Sequence, residues 1–228
     1  MTGLPRTQEG GFQHLTSDCV NEEQLWDDTL FMTVLFLYRA GLALDRAAWR
    51  EEARYQFLLH IKYLHCHQNG LWYHGWCSLG RHHFGEAFWA RGNSWFTAGA
   101  VDFVEWLPEG EPVRRCVLET WREQCRAIAA CQDEATGLWH TLLDHADSYL
   151  ETSAGAAIDI FHFAGRVCIP PCDFQHKRTM IHINISHVGT ISIRLDCHDD
   201  HGDHKHVSSL RYQIVRYVKI LNIIIAYR

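Results

Sequence analysis

The chain has 228 residues and a formal net charge of −6 with histidine neutral. At 47% hydrophobic and 21% charged it is a folding sequence, not a disordered one, of a length that suits one domain or slightly more. The acidic balance argues against a nucleic-acid partner, and no apolar run reaches the ~18 residues of a membrane span. The first 25 residues lack the basic start and apolar stretch of a signal peptide. The nine cysteines are irregularly spaced, which supports neither a zinc ribbon nor a disulfide framework. A cytoplasmic protein with reduced thiols is the expectation.

In chain order, Thr29–Leu44 is apolar almost all round (Leu30, Phe31, Met32, Val34, Leu35, Phe36, Leu37), which predicts a buried helix. Asp27 and Asp28 precede it and suit its N-terminal end. Arg46–Leu64 repeats Trp49, Ala53, Phe57, Ile61 and Leu64 every three or four positions against a charged face, which predicts an amphipathic surface helix. The alternation returns with apolar Ser94–Trp106 and amphipathic Pro112–Cys131, and a third inner helix begins near Tyr149. Gly70–Leu71–Trp72 follows the first outer helix and Gly137–Leu138–Trp139 the second. Self-similarity of this size predicts stacked helical hairpins, either an α-solenoid or a closed toroid, nearly all α over 26–154.

The vocabulary of the chain changes near residue 155. All nine Trp and 19 Leu lie in 1–154, with two Ile; 155–228 holds no Trp, three Leu and 13 Ile. We therefore divide the chain into 1–155, helical, and 156–228, an atypical Ile- and His-rich tail that reads either as a small α+β appendage or, the preferred reading, as sequence of different origin, and is expected to pack poorly. Strands are expected around Met180–Leu195 and Tyr212–Ala226, where Ile, Val and Tyr are dense. The His198–His206 run is expected to be exposed; His201, His204 and His206 match no familiar metal-site spacing.

In a hairpin repeat the starts of the inner helices gather at one end. That end collects Trp26–Asp27–Asp28, Trp89–Ala90–Arg91–Gly92–Asn93–Ser94–Trp95 and Asp147–Ser148–Tyr149–Leu150–Glu151. Aromatic plates with a few charges suit a sugar, and an Arg fork suits a carboxylate. A carboxyl group among tryptophans has its pKa pushed up, as a general acid needs. Each residue also has a plainer reading. Asp28 as a helix cap, Arg91 as the partner of a structural carboxylate, Trp72, Trp89, Trp95 and Trp139 as core, and His74 as a loop hydrogen bonder all stay open on the pattern alone. His82 and His83 read as ordinary loop residues.

Four motifs in order carry a resemblance: Trp26–Asp27–Asp28–Thr29–Leu30–Phe31–Met32, Gly70–Leu71–Trp72–Tyr73–His74–Gly75–Trp76, Phe88–Trp89–Ala90–Arg91–Gly92–Asn93–Ser94–Trp95 and Tyr149–Leu150–Glu151–Thr152–Ser153–Ala154. Together they resemble the unsaturated rhamnogalacturonyl hydrolases of glycoside hydrolase family 105, related to the family 88 unsaturated glucuronyl hydrolases. The resemblance implies an all-α fold, here a partial (α/α)6 barrel of about two and a half hairpins with an irregular tail. It implies a glycosidase acting on unsaturated uronic-acid oligosaccharides left by polysaccharide lyases, with hydration of the C4=C5 double bond and no metal or cofactor. Asp28 matches the family's general acid/base, and Trp26, His74, Trp89, Arg91 and Trp95 match substrate-binding positions. The resemblance spans about residues 9–155, under half of a family catalytic domain, and the family's other functional Asp, on an earlier hairpin, has no counterpart here. The alternatives are an inactive fragment or a helical-repeat binding module.

Overall fold

The computed structural model describes residues 3–155, 157 and 158, and the backbone of 179–185 and 191–197. The chain divides into two units, Met1–His176 and Lys177–Arg228. In the first unit the element order begins β1 (Gln24–Trp26), α1 (Asp27–Thr29), a π-helical stretch Leu30–Val34, α2 (Leu35–Ala43) and α3 (Ala47–Leu64). It continues with β2 (Gly75–Cys77), α4 (Ala90–Trp106), α5 (Pro112–Ala130), β3 (Trp139–His140) and β4 (Leu150–Glu151). In the second unit β5 (Thr179–Ile185) and β6 (Ile191–Cys197) form an antiparallel hairpin in the first of the two stretches expected to be strands. Tyr212–Ala226 and His198–His206 lie outside the described residues.

The first inner helix is one continuous rod from Asp27 to Ala43, loosened by the π stretch. One-turn π segments often mark functional positions. Leu30, Val34, Leu35, Leu37 and Tyr38 bury its inward side, while Phe36 is 66% exposed. The burial expected all round is therefore confined to the faces that meet α3 and α4. The rod ends where Asp45 takes a left-handed φ of 47°, and α3 runs back along it.

In α3 the buried stripe is Ala53, Phe57, His60, Ile61 and Leu64 at helical spacing. The second inner helix, α4, starts at Ala90, four residues earlier than the sequence suggested, because Ala90 N–H donates to Thr141 O at 2.8 Å. It is buried along most of its length, with small residues where the inner helices approach: a Cβ at Gly99 would lie 3.2 Å from Leu35 Cδ1. Pro112 opens α5, where a missing N–H costs nothing. Val117, Trp121, Gln124, Cys125 and Ile128 form its buried stripe.

Aromatic stacking joins the hairpins: Phe57 on Phe103 at 3.7 Å and Trp72 on Phe96 at 3.9 Å. Trp121 Nε1–H donates to Thr97 O (3.0 Å) and Trp139 Nε1–H to Ile128 O (2.7 Å), so these rings are buried with their polar handle satisfied. Trp72 and Trp139 are fully buried, which assigns both to the core. Their turns are equivalent, with φ of +78° at Gly70 and +70° at Gly137. Asn93 ties the layers together. Its side chain accepts from Trp72 N–H (2.8 Å) and donates to Trp72 O (2.9 Å), and Gln124 Nε2 donates to Asn93 O (2.9 Å).

The first unit is not wholly α. β1 pairs with β2 in the register Gln24↔Cys77, Leu25↔Trp76, Trp26↔Gly75, and β3 pairs with β4 as Trp139↔Glu151, His140↔Leu150. Both ladders are antiparallel and lead directly into inner-helix starts. Two or three residues carry no readable period, so the sequence pattern could not disclose them.

Candidate active site

The β1–β2 ladder continues one step into the helix start: Asp27 N–H donates to His74 O at 3.1 Å. His74 is thereby set opposite the Asp27–Asp28 pair. Trp26, extended at φ −125° and ψ 147°, is the residue before the first helical turn, and no side chain caps that turn. Asp28 is accordingly not a helix cap.

The two acids face different surroundings. Asp27 is 0% exposed at its side chain, whereas Asp28 keeps 18%. Burial pushes Asp27 up to about 7. Burial, then the negative charge of Asp27, also pushes Asp28 up to about 7. Like charges this close titrate as a unit, with one proton held between them. His74 Nδ1 lies 2.7 Å from Asp27 Oδ1 and 3.6 Å from Asp28 Oδ2. The shorter contact is poorly aligned, so neither Asp27 oxygen accepts a well-directed hydrogen bond. Burial lowers the pKa of His74; the Asp28 charge opposes that and the Arg91 charge adds to it.

Aromatic rings line the approach. Trp26 stacks on His14 at 4.2 Å and meets His74 edge-on at 4.9 Å, with Phe84 at 5.4 Å. Trp89 meets His74 edge-on at 5.0 Å. Arg91 places Cζ 4.3 Å over the Trp89 ring and Nη1 3.5 Å from Glu151 Oε1, with its side chain still 46% exposed. Glu151 is itself buried, accepting from Thr141 Oγ1–H at 2.9 Å and from Ser153 Oγ–H. Arg91 therefore has a structural carboxylate partner and an accessible guanidinium at once. The starts of three inner helices, Asp28, Arg91 and Glu151, meet at one end.

Of the residues singled out in the sequence, Trp26, Asp28, His74, Trp89 and Arg91 form one connected group. Trp95 lies one turn further along α4, half-buried against Phe31 at 4.9 Å, its buried Nε1–H without a partner. His83 stacks on Tyr73 at 3.8 Å and bonds Tyr63 O through Nε2 at 2.7 Å, a loop role. The site residues chosen from the pattern did not include Asp27, His14, Phe84 or Gly92, although Asp27 and Gly92 stand within the motifs. The Asp doublet was the available signal for Asp27, but adjacency alone does not say which acid is sealed inside. Asp27, Asp28 and His74 each offer one ligand atom, all within 4.8 Å of one another. Two carboxylates and an imidazole are a set that a divalent ion accepts, but the proton held between the carboxylates competes with it.

No helix among the described residues is long and apolar enough to cross a membrane. The chain is 36% identical over 156 residues to the unsaturated rhamnogalacturonyl hydrolase YesR of Bacillus subtilis (strain 168), a match covering 68% of this chain and 45% of that protein. A crystal structure of a possible member of GH105 family from Salmonella enterica serovar Paratyphi A superposes with a TM-score of 0.69 at 50% identity, covering 72% of this chain and 43% of that one. The unsaturated glucuronyl hydrolase of Bacillus sp. GL1 shares the fold, with a TM-score of 0.59 at 19% identity, covering 71% of this chain and 45% of that one. The chain thus spans less than half the length of the relatives it matches, and its hairpins are a segment of the six-hairpin glycosidase fold. With the model of Glycosyl Hydrolase Family 88 matching residues 1–160 over the same helices that bring Asp28, His74 and Arg91 together, the chain belongs to that family.

Proposed function

We propose that this chain carries the acid/base end of a glycosidase that hydrates the C4=C5 double bond of a terminal unsaturated uronic acid on an oligosaccharide. The observation that carries the reading is Asp28: a partly exposed carboxyl group whose proton is retained near neutral pH by burial and by Asp27, beside His74, whose ring in turn meets Trp89 under Arg91. The Asp28 carboxylic acid gives its proton to C4. The carboxylate so formed takes a proton from water, whose oxygen bonds to C5. The C5 hemiketal then opens, releasing the neighbouring sugar. Arg91 suits the uronate carboxylate, Trp26 and Trp89 the sugar faces, and His74 a hydroxyl. Trp95 belongs to the same proposal as a wall residue further along α4. The setting proposed is cytoplasmic, on the irregular spacing of the nine cysteines, and the acidic net charge disfavours a nucleic-acid partner.

The test is loss of the double-bond absorbance of an unsaturated disaccharide. Asp28→Asn keeps the shape but neither gives nor takes the proton. A rate loss of about 10²–10⁴-fold or more is expected, because one group serves both steps. A near-normal rate would remove Asp28 from the mechanism. Saturable binding of the disaccharide to the wild-type chain with no absorbance loss would favour a carbohydrate-binding module instead.

A further inference from the structure

Asp27 takes no step in the reaction above, yet it is the most deeply buried acid of the site. Its walls are specific. The backbone of Gly92 closes over it, since a Cβ there would lie 2.7 Å from Asp27 Oδ2 and 3.3 Å from His74 Nδ1. The ladder Trp26↔Gly75, extended by Asp27 N–H to His74 O, fixes His74 beside it. A buried carboxylate without well-directed donors is costly unless something compensates it. Unsatisfied buried groups of this kind call for a functional account.

We propose that Asp27 is a positioning residue for the hydration reaction: its sealed carboxylate, 2.7 Å from His74 Nδ1, favours the proton on that nitrogen by its charge and stands against Asp28, so that His74 presents Nε2 as a hydrogen-bond acceptor to a substrate hydroxyl. This rests on the hydrolase reading. The tautomer follows from charge. With the shared proton of the pair on Asp28, Asp27 is a carboxylate: at 2.7 Å a lone pair on Nδ1 would then face its oxygen, acceptor against acceptor, whereas a proton on Nδ1 makes the contact attractive. Nε2 is then the acceptor, which suits a sugar hydroxyl donor. The negative charge of Asp27 beside Asp28 also keeps Asp28 in the protonated form that the first step consumes. Among the described residues, the other charged or titratable groups bearing on the unit are Arg91 from α4, acting on His74 and itself paired with Glu151, His14 from the N-terminal segment, acting on Asp28, and His60 from α3, beside the Trp26 backbone.

The test is a long-range proton–nitrogen correlation spectrum of the histidine rings in the 228-residue chain, with turnover measured in parallel. Wild-type His74 is expected in the Nδ1–H form near pH 7. Asp27→Asn, which keeps an acceptor for Nδ1–H, should preserve that form while moving the limb of the pH–rate profile assigned to Asp28 to lower pH. Asp27→Leu should abolish the tautomer preference and lower kcat on the order of 10²-fold, the scale expected for a displaced catalytic group. A wild-type spectrum showing His74 as Nε2–H overturns the proposal, as does an unchanged tautomer in Asp27→Leu. If Asp27→Leu does not fold, the wild-type spectrum and the Asp27→Asn profile decide. The spectrum needs no turnover, so the two readings fail separately. An inert chain with His74 as Nδ1–H supports the Asp27–His74 unit and counts against the hydrolase, whereas an active chain with His74 as Nε2–H does the reverse.

Discussion

Gly92 of one inner helix covers Asp27 of the other so closely that a single added methyl would come within 2.7 Å of the carboxylate. The same methyl would lie 3.1 Å from Trp89 Cε3 and 3.3 Å from His74 Nδ1. Helix packing, the buried acid and the histidine of the site are therefore one unit, and a change in any of them is felt by the others.

Gly92→Ala is the direct probe of that unit. Alanine is the better helix former by about 1 kcal/mol. Overpacking a filled site costs about 1–3 kcal/mol, and here the atom met is a short buried carboxylate with nowhere to move. Net destabilisation is expected in urea denaturation, with loss of activity beyond the stability change because Asp27 and His74 must shift. A gain in stability would show that the interior has room at this point.

The pH dependence of stability has a definite sign. Asp27 and Asp28 are raised from 3.8 to about 7, so between those values the folded state binds more protons than the unfolded state. Their stabilisation is fully present below the unfolded value and is lost as pH rises through about 7. His60, lowered to about 4 by burial, acts oppositely, with stability rising as pH goes from about 4 to 6.5. Above 6.5 the His60 contribution is complete and the carboxylate pair remains. Stability is expected to fall from pH 6.5 to 8, and Asp27→Asn to flatten that fall, measured by urea titration at several pH values. A slope identical in the variant would sink the shared-proton picture.

Asn93→Ala removes the side chain that both accepts from and donates to the backbone of buried Trp72. Leaving a buried donor and a buried acceptor unpaired costs about 1–3 kcal/mol each. A loss of about 2–5 kcal/mol is expected in chemical denaturation, and Asn93→Asp, which sets a carboxylate against the Trp72 and Trp89 carbonyls in a fully buried site, should lose at least as much.

Arg91→Lys separates binding from chemistry. The guanidinium lies over Trp89 and beside Glu151, and a lysine ammonium reproduces neither the planar stack nor the fork. KM for an unsaturated disaccharide should rise about tenfold, on the order of 1.4 kcal/mol, with kcat changing less. A fall in kcat alone would move Arg91 from carboxylate recognition into the chemical step.

The sequence by itself determined the helices and their order. The apolar run at Leu30–Leu37, the stripe of Ala53, Phe57, Ile61 and Leu64, and the paired Gly-Leu-Trp turns are periodic, and period is what a one-dimensional string records. It also placed Asp28, Arg91 and Glu151 at helix starts that a hairpin repeat must gather, and in the structure Arg91 reaches Glu151 across that end. The tertiary structure decided what the string could not hold. The β1–β2 ladder, three residues long, has no period, yet it sets His74 opposite Asp27. Asp27 and Asp28 are neighbours in the chain, but one helical step turns successive side chains by about 100°. Which of the two is sealed beneath Gly92 and which keeps an opening to solvent depends on where α4 packs, a property of contacts between distant residues and not of either aspartate's place in the sequence.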